Sequence, residues 1–203
     1  VFIEEKQLVA QKNNGYSLYL AKKVNGSFTV IWQSKGPVAT VGSPSYSYMN
    51  MFDVSTPSYM VNYTYDPVKT GGVIFTPSGK SKGLDTGQTV TLDKNGIFGT
   101  PANDGTEGEI IIKNSLQANP KAILQDSQGN NIWVNEKSGM DIGTTTLTPK
   151  YEYMIWFENY QENGSLISKN VSESMKVKMT DGENKIITYT DEGKWVNGGP
   201  ANQ

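Results

Sequence analysis

The sequence predicts an all-β protein, an antiparallel two-sheet β-sandwich with long loops, and three observations predict it. Runs of β-branched and aromatic residues alternate with polar ones at the period of a strand. Turn-forming clusters close these runs. Asn13-Asn14-Gly15, Val24-Asn25-Gly26, Asp93-Lys94-Asn95-Gly96, Gln128-Gly129-Asn130 and Asp181-Gly182 all carry residues that reach positive φ at low cost, as hairpin turns require. Finally, no stretch long enough for a stable helix carries a helical apolar stripe; residues 115–122 could hold one short turn, and Pro120 limits it.

Taken in order, strands are expected over 2–10, 16–23, 28–33, 37–41, 45–53, 58–65, 72–76, 88–92, 109–114, 121–125, 131–135, 144–148, 151–160, 165–168, 174–179, 185–190 and 194–196. Residues 66–87 and 96–108 are rich in Gly and Pro and read as surface loops, because apolar strands flank each closely. The 203 residues contain no internal repeat and no low-complexity tract, which fits a single domain spanning 1–203. A chain of this length buries roughly 70% of its unfolded surface, enough for a core without disulfides.

Composition excludes whole classes of chemistry. There is no His and no Cys, so there is no imidazole base, no thiolate nucleophile, no disulfide and no Cys/His zinc site. An enzyme here would be limited to carboxylate, Lys or Tyr chemistry, and the reading is that the chain is not one. All 18 basic residues are Lys. With a net charge of −2 and no guanidinium fork, the chain lacks the footprint of a nucleic-acid binder. No apolar run reaches the ~20 residues of a membrane span. The start, Val1-Phe2-Ile3-Glu4-Glu5-Lys6, has neither an initiating Met nor the pattern of a signal peptide. The lack of Cys leans toward the cytosol, while four sequons, at Asn25, Asn62, Asn163 and Asn170, are no more than chance supplies.

The strongest local feature is aromatic. Over 45–53, alternation puts Tyr46, Tyr48 and Phe52 on one face and Met49 and Met51 on the other. Over 59–65 it aligns Tyr59, Val61, Tyr63 and Tyr65. Over 151–160 it gives Tyr151, Tyr153, Ile155 and Phe157 on one face, and Met154, Trp156 and Tyr160 on the other. A strand apolar on both faces is either central in the fold or covered by a partner or ligand. The expectation is that Tyr153, Ile155 and Phe157 pack inside, and that Trp156 with Met154 and Tyr160 meets a second subunit or a ligand. Tyr48, Tyr63, Met154, Trp156 and Tyr160 are therefore the candidate ligand-binding residues, because Tyr and Trp offer large contact area at low entropic cost.

Other constellations are weaker. Glu152 and Glu158 share a strand face but stand about 20 Å apart at ~3.3 Å per residue, too far for a glycosidase pair. Asp126-Ser127-Gln128-Gly129-Asn130 has the outline of a calcium loop without its acidic density, and a hairpin turn explains it better; no metal is expected. Gly79-Lys80-Ser81-Lys82-Gly83 lacks the spacing of a phosphate cradle and no helix follows it.

The run Thr148-Pro149-Lys150-Tyr151-Glu152-Tyr153-Met154-Ile155-Trp156-Phe157-Glu158-Asn159-Tyr160, followed by Asn163-Gly164-Ser165, resembles the aromatic strand and hairpin of β-sandwich proteins in the actinoporin and mushroom fruiting-body lectin group. Size and a Cys-free, Tyr-rich composition are also similar to the carotenoid-binding chromoproteins of oyster mushrooms. The resemblance implies a binding protein. It departs from the pore-forming branch in two respects: residues 1–25 read as strands where that branch has an amphipathic helix, and there is no Arg for a lipid-headgroup site. The expectation is a homodimeric binder of an extended hydrophobic or aromatic molecule, a carotenoid-like pigment held non-covalently. The alternative is a lectin whose Tyr48, Tyr63 or Trp156 stacks on a glycan ring, or an actinoporin-like membrane binder.

Overall fold

The alternation over 149–158 is realised as a long strand that organises the molecule. The computed structural model describes residues 1–68, 73–168, 171 and 173–201. Its elements are β1 (Phe2–Ile3), α1 (Glu5–Asn13), β2 (Ser17–Val24), β3 (Gln33–Lys35), β4 (Tyr59–Thr64), β5 (Lys82–Leu84), β6 (Thr89–Leu92), β7 (Ile110–Asn114), β8 (Lys121–Asp126), β9 (Asn131–Val134), β10 (Gly143–Leu147), β11 (Pro149–Glu158), β12 (Ser174–Lys178), β13 (Ile187–Tyr189) and β14 (Trp195–Asn197). One four-stranded sheet runs β12-β11-β2-β3 and a second runs β5-β4-β8-β9. Two three-stranded sheets, β10-β7-β6 and β1-β13-β14, complete the fold. The protein is all-β and sandwich-like, with four sheets rather than two. Pairing is antiparallel except for β1 with β13 and β6 with β7.

The main core draws on every sheet. From β2 and β11 come Leu18, Leu20, Val24, Tyr153, Ile155 and Phe157; from β4 and β8 come Tyr59, Val61, Tyr63, Ala122 and Leu124. The register sets Trp156 opposite Tyr19 and Met154 opposite Ala21, so these four point to the other side of the same sheet. There they form a second buried cluster with Ile31, flanked by Phe28, Ile167 and Val171. A third cluster, Val30, Phe75, Ile123, Val134 and Leu166, covers the outer side of β8 and β9. Segments 28–31 and 164–168 thus lie over both large sheets, linked through Ile31 N–H to the Ser165 carbonyl and Ile167 N–H to the Thr29 carbonyl, each at 3.0 Å.

Several expected strands are absent. Residues 5–10, read as part of a strand over 2–10, belong instead to the helix Glu5–Asn13. Glu5, Lys6, Gln7, Leu8, Ala10 and Gln11 are all good helix formers, and that propensity wins where the apolar period is ambiguous. Asn13-Asn14-Gly15 caps it instead of turning a hairpin: Tyr16 N–H donates to the Gln11 carbonyl and Gly15 N–H to the Lys12 carbonyl, with Gly15 at φ +70°. This is the two-bond αL helix stop. The helix is not amphipathic in the sense of the pore-forming branch, since its buried residue is Gln11 and Val9 is exposed. Segments 37–41 and 45–53 are irregular because Pro37, Gly42 and Pro44 interrupt them. Buried Asn50 then ties 45–53 down, accepting from Ser47 N–H and donating to the Ser47 and Val1 carbonyls. Of 28–33 only Gln33 enters a strand, β3, and the remainder with 165–168 keeps only the isolated bridge between Val30 and Leu166. Asn170, and residues 69–72 of the expected loop 66–87 and strand 72–76, lie outside the described residues.

Candidate functional site

The five residues singled out by the sequence do not converge. Tyr63 is buried in the main core, where its hydroxyl donates to the Gly96 carbonyl at 3.2 Å. A Cβ at Gly79 or Gly96 would overlap its ring or hydroxyl, so two glycines make the room it fills. Met154 and Trp156 are buried in the second cluster, Trp156 completely. Its indole lies 5.7 Å from the Tyr19 ring and its Nε1 donates to Glu158 at 3.1 Å. The face of β11 expected at a subunit or ligand contact is thus covered by the chain's own Phe28, Ile31, Ile167 and Val171. Tyr160 lies beyond β11 and is largely exposed. Tyr48 is half-exposed, edge-on to Phe2 at 5.5 Å.

The carboxylates considered for chemistry are structural. Glu152 pairs with Lys23 at 2.6 Å and Lys178 at 3.4 Å, and its hydrogen bond from Lys23 holds its pKa below the usual range. Glu158 accepts from Trp156 and, at 2.7 Å, from Ser168.

What the sequence did not pick out is a groove of about 590 Å³ at the edge of the sandwich. It lies where edge strand β3 of one sheet meets the β8–β9 hairpin of the other. Trp32 lines it, together with Gln33 and Ser34 of β3, Asp53 and Ser55, the hairpin residues 126–131, and Asn163 with Gly164. Apart from Trp32 and the glycines, every lining residue is Asp, Asn, Gln or Ser, and none is cationic.

The groove is braced by its own hydrogen bonds. Asp126 Oδ1 accepts from Gln128 N–H and Asn130 N–H, both at 2.9 Å. Its Oδ2 accepts from Trp32 Nε1 and Asn130 Nδ2, both at 3.0 Å. Both oxygens are committed, so the 126–130 turn is a hairpin cradle and not a cation loop. Trp32 is held in turn by stacking on Tyr153 at 6.5 Å. On the opposite wall, Gln33 Nε2 donates to the Asp53 carbonyl at 2.7 Å. Asp53 Oδ1 accepts from Ser55 N–H and Oγ, which holds the Asp53 carboxyl below the ordinary range and keeps it ionised at neutral pH. Behind the groove, Asn131 accepts from Gln125, which accepts from Ser81, which accepts from Asn62. Such a satisfied, partly buried network fixes the position of the wall.

Among the described residues, several groove groups have no partner: Asp53 Oδ2 and the side chains of Ser127, Gln128 and Asn163. Rigid walls with free amide, hydroxyl and carboxylate groups can bind a polyhydroxylated ligand through many directed hydrogen bonds. The sequence marks 126–130 as a turn with the outline of a calcium loop, and Asn163 as a sequon and as part of the hairpin after 151–160, without joining either to Trp32-Gln33-Ser34.

No protein-family model matches the chain, and neither the curated proteins nor the solved structures give a match. Among the described residues, no helix is long and apolar enough to cross a membrane.

Proposed function

We propose that this chain is a non-enzymatic carbohydrate-binding protein that takes a neutral oligosaccharide in the groove between β3 and the β8–β9 hairpin. The observation that carries the reading is the lining: Asn, Gln, Ser and Asp side chains beside the buried Trp32, with no cation. A sugar offers hydroxyls to such groups. The ionised Asp53 disfavours sulfated or uronic-acid glycans through like-charge repulsion. A pigment-binding reading rested on the aromatic faces of 45–53 and 151–160. Those of β11 are taken up by the chain's own core clusters, which favours the glycan.

The test is calorimetric titration of a panel of neutral and sulfated oligosaccharides into the wild type and the exposed-site variants Gln128→Ala and Asn163→Ala. A neutral oligosaccharide should bind, each variant should weaken it about fivefold at ~1 kcal/mol per lost hydrogen bond, and the melting temperature should hold. Binding indifferent to both variants, or a visible absorption band in natively purified protein, would refute the reading.

A further inference from the structure

The sheet β12-β11-β2-β3 ends on two outer strands. One, β3, borders the hairpin groove; the other is β12. The register of β12 shows which of its backbone groups face outward. Met179 N–H donates to the Tyr151 carbonyl at 2.8 Å, one step beyond the Lys178–Glu152 pair. Antiparallel pairs alternate between bonded and non-bonded, so Val177 and Met175 bond to Tyr153 and Ile155 in the same way. Ser174, Lys176 and Lys178 are the non-bonded partners of Trp156, Met154 and Glu152, and turn their N–H and C=O groups away from β11. Among the described residues, no hydrogen bond reaches those groups.

The side chains of this edge are sorted by face. Met175, Val177 and Met179 pack against the main core, which sends Ser174, Lys176 and Lys178 to the other face, where they are exposed. Lys178 lies 3.4 Å from Glu152, but Lys23 holds the same carboxylate at 2.6 Å, so one negative charge serves two lysines. Among the described residues no carboxylate pairs with Lys176, whose Nζ lies over the Phe28 ring at 6.0 Å. The open backbone groups thus belong to the residues that carry an excess of positive charge. Lysines on a sheet edge discourage an apolar strand. They also discourage a second copy, because antiparallel self-pairing through the outward residues sets Lys176 against its own counterpart. A strand with carboxylates at alternate positions matches both the backbone and the charge.

We propose that β12 is a docking edge for an acidic, extended segment of a partner protein, which adds to the sheet as a further strand. The segment's backbone pairs with the outward groups of Ser174, Lys176 and Lys178, and its alternate Glu or Asp side chains lie beside the two lysines. The edge shares no residue with the hairpin groove, so the inference stands apart from the glycan reading.

The experiment is amide hydrogen exchange of the intact chain, read by two-dimensional NMR, with and without a short peptide that alternates glutamate and valine. Binding should be saturable and should slow exchange at the Ser174, Lys176 and Lys178 amides. Two control peptides separate backbone from charge. The same peptide N-methylated throughout keeps the charge and loses the donors; a lysine–valine peptide keeps the donors and reverses the charge. Each should bind about tenfold more weakly or worse. Lys176 is exposed, so Lys176→Glu should leave the melting temperature unchanged and weaken the acidic peptide about tenfold. Protection elsewhere or nowhere, equal binding of either control peptide, or an unaltered Lys176→Glu titration would each overturn the proposal. So would a dimer that protects the same amides without peptide, which would give the edge to a second copy.

Discussion

At the scale of the residue, two fully buried side chains carry opposite consequences. Trp156 fills the second cluster, and its indole N–H is satisfied by Glu158. Trp156→Ala should therefore cost about 3–5 kcal/mol in urea unfolding, as large aromatic truncations do in cores, and leave the sedimentation coefficient of the folded protein unchanged. Intact stability with altered association would instead restore the subunit-contact reading. Lys22 is the converse case, a cation with no carboxylate beside it. It points into the main core, donates to Tyr153 Oη at 3.2 Å, and lies over the Tyr151 and Tyr153 rings. Burial lowers its pKa from 10.5 to about 8. Between those values the unfolded chain holds the extra proton, so this group's destabilising effect is complete below pH 8 and is relieved as pH rises toward 10.5. Tyr59, raised to about 12, and Tyr153, raised further, act in the opposite sense once unfolded tyrosines ionise near pH 10. Lys22→Met should raise stability at pH 7 by about 2–3 kcal/mol and flatten the rise between pH 8 and 10, measured by urea midpoints. A variant less stable than wild type at pH 7 would show that the aromatic contacts outweigh desolvation.

At the scale of the element, two turns share a sequence signature and differ in use. Asn13-Asn14-Gly15 ends a helix, and Gln128-Gly129-Asn130 closes a hairpin. Short-range chemistry supplies positive φ in both; the flanking partners decide which motif results. Gly15→Ala should cost about 1–2 kcal/mol, because φ +70° is strained for a residue with a Cβ, and the loss should appear as a lower melting temperature. Asp126→Ala should cost about 2–3 kcal/mol, since its carboxylate organises the whole 126–130 turn and anchors Trp32. Because those oxygens are already taken, adding calcium or EDTA should not move the melting temperature, and a shift of several degrees would show that another oxygen site had been missed.

At the scale of the whole molecule, the defining contacts are remote in sequence. Lys22 meets Tyr153 across 131 positions, and Trp32 meets Asp126 across 94. Loop-closure entropy precedes such pairings, so stopped-flow refolding should run in milliseconds to seconds, and a microsecond phase carrying the full amplitude would contradict this fold.

The sequence by itself determined the all-β class, because period-two alternation and turn residues are written locally. It also determined the absence of imidazole and thiol chemistry, which composition alone decides. It showed that β11 is apolar on both faces, but alternation names two faces without saying what covers either. Only the tertiary structure decided that Phe28, Ile31, Ile167 and Val171 cover the Trp156 face, that residues 5–13 are a helix, and that four sheets share the core. The groove was illegible for the same reason. Its walls come from 32–34, 53–55, 126–131 and 163–164, segments whose local signals are those of ordinary turns and a short edge strand. Long-range packing brings them to one edge of the sandwich, and no local period encodes that meeting.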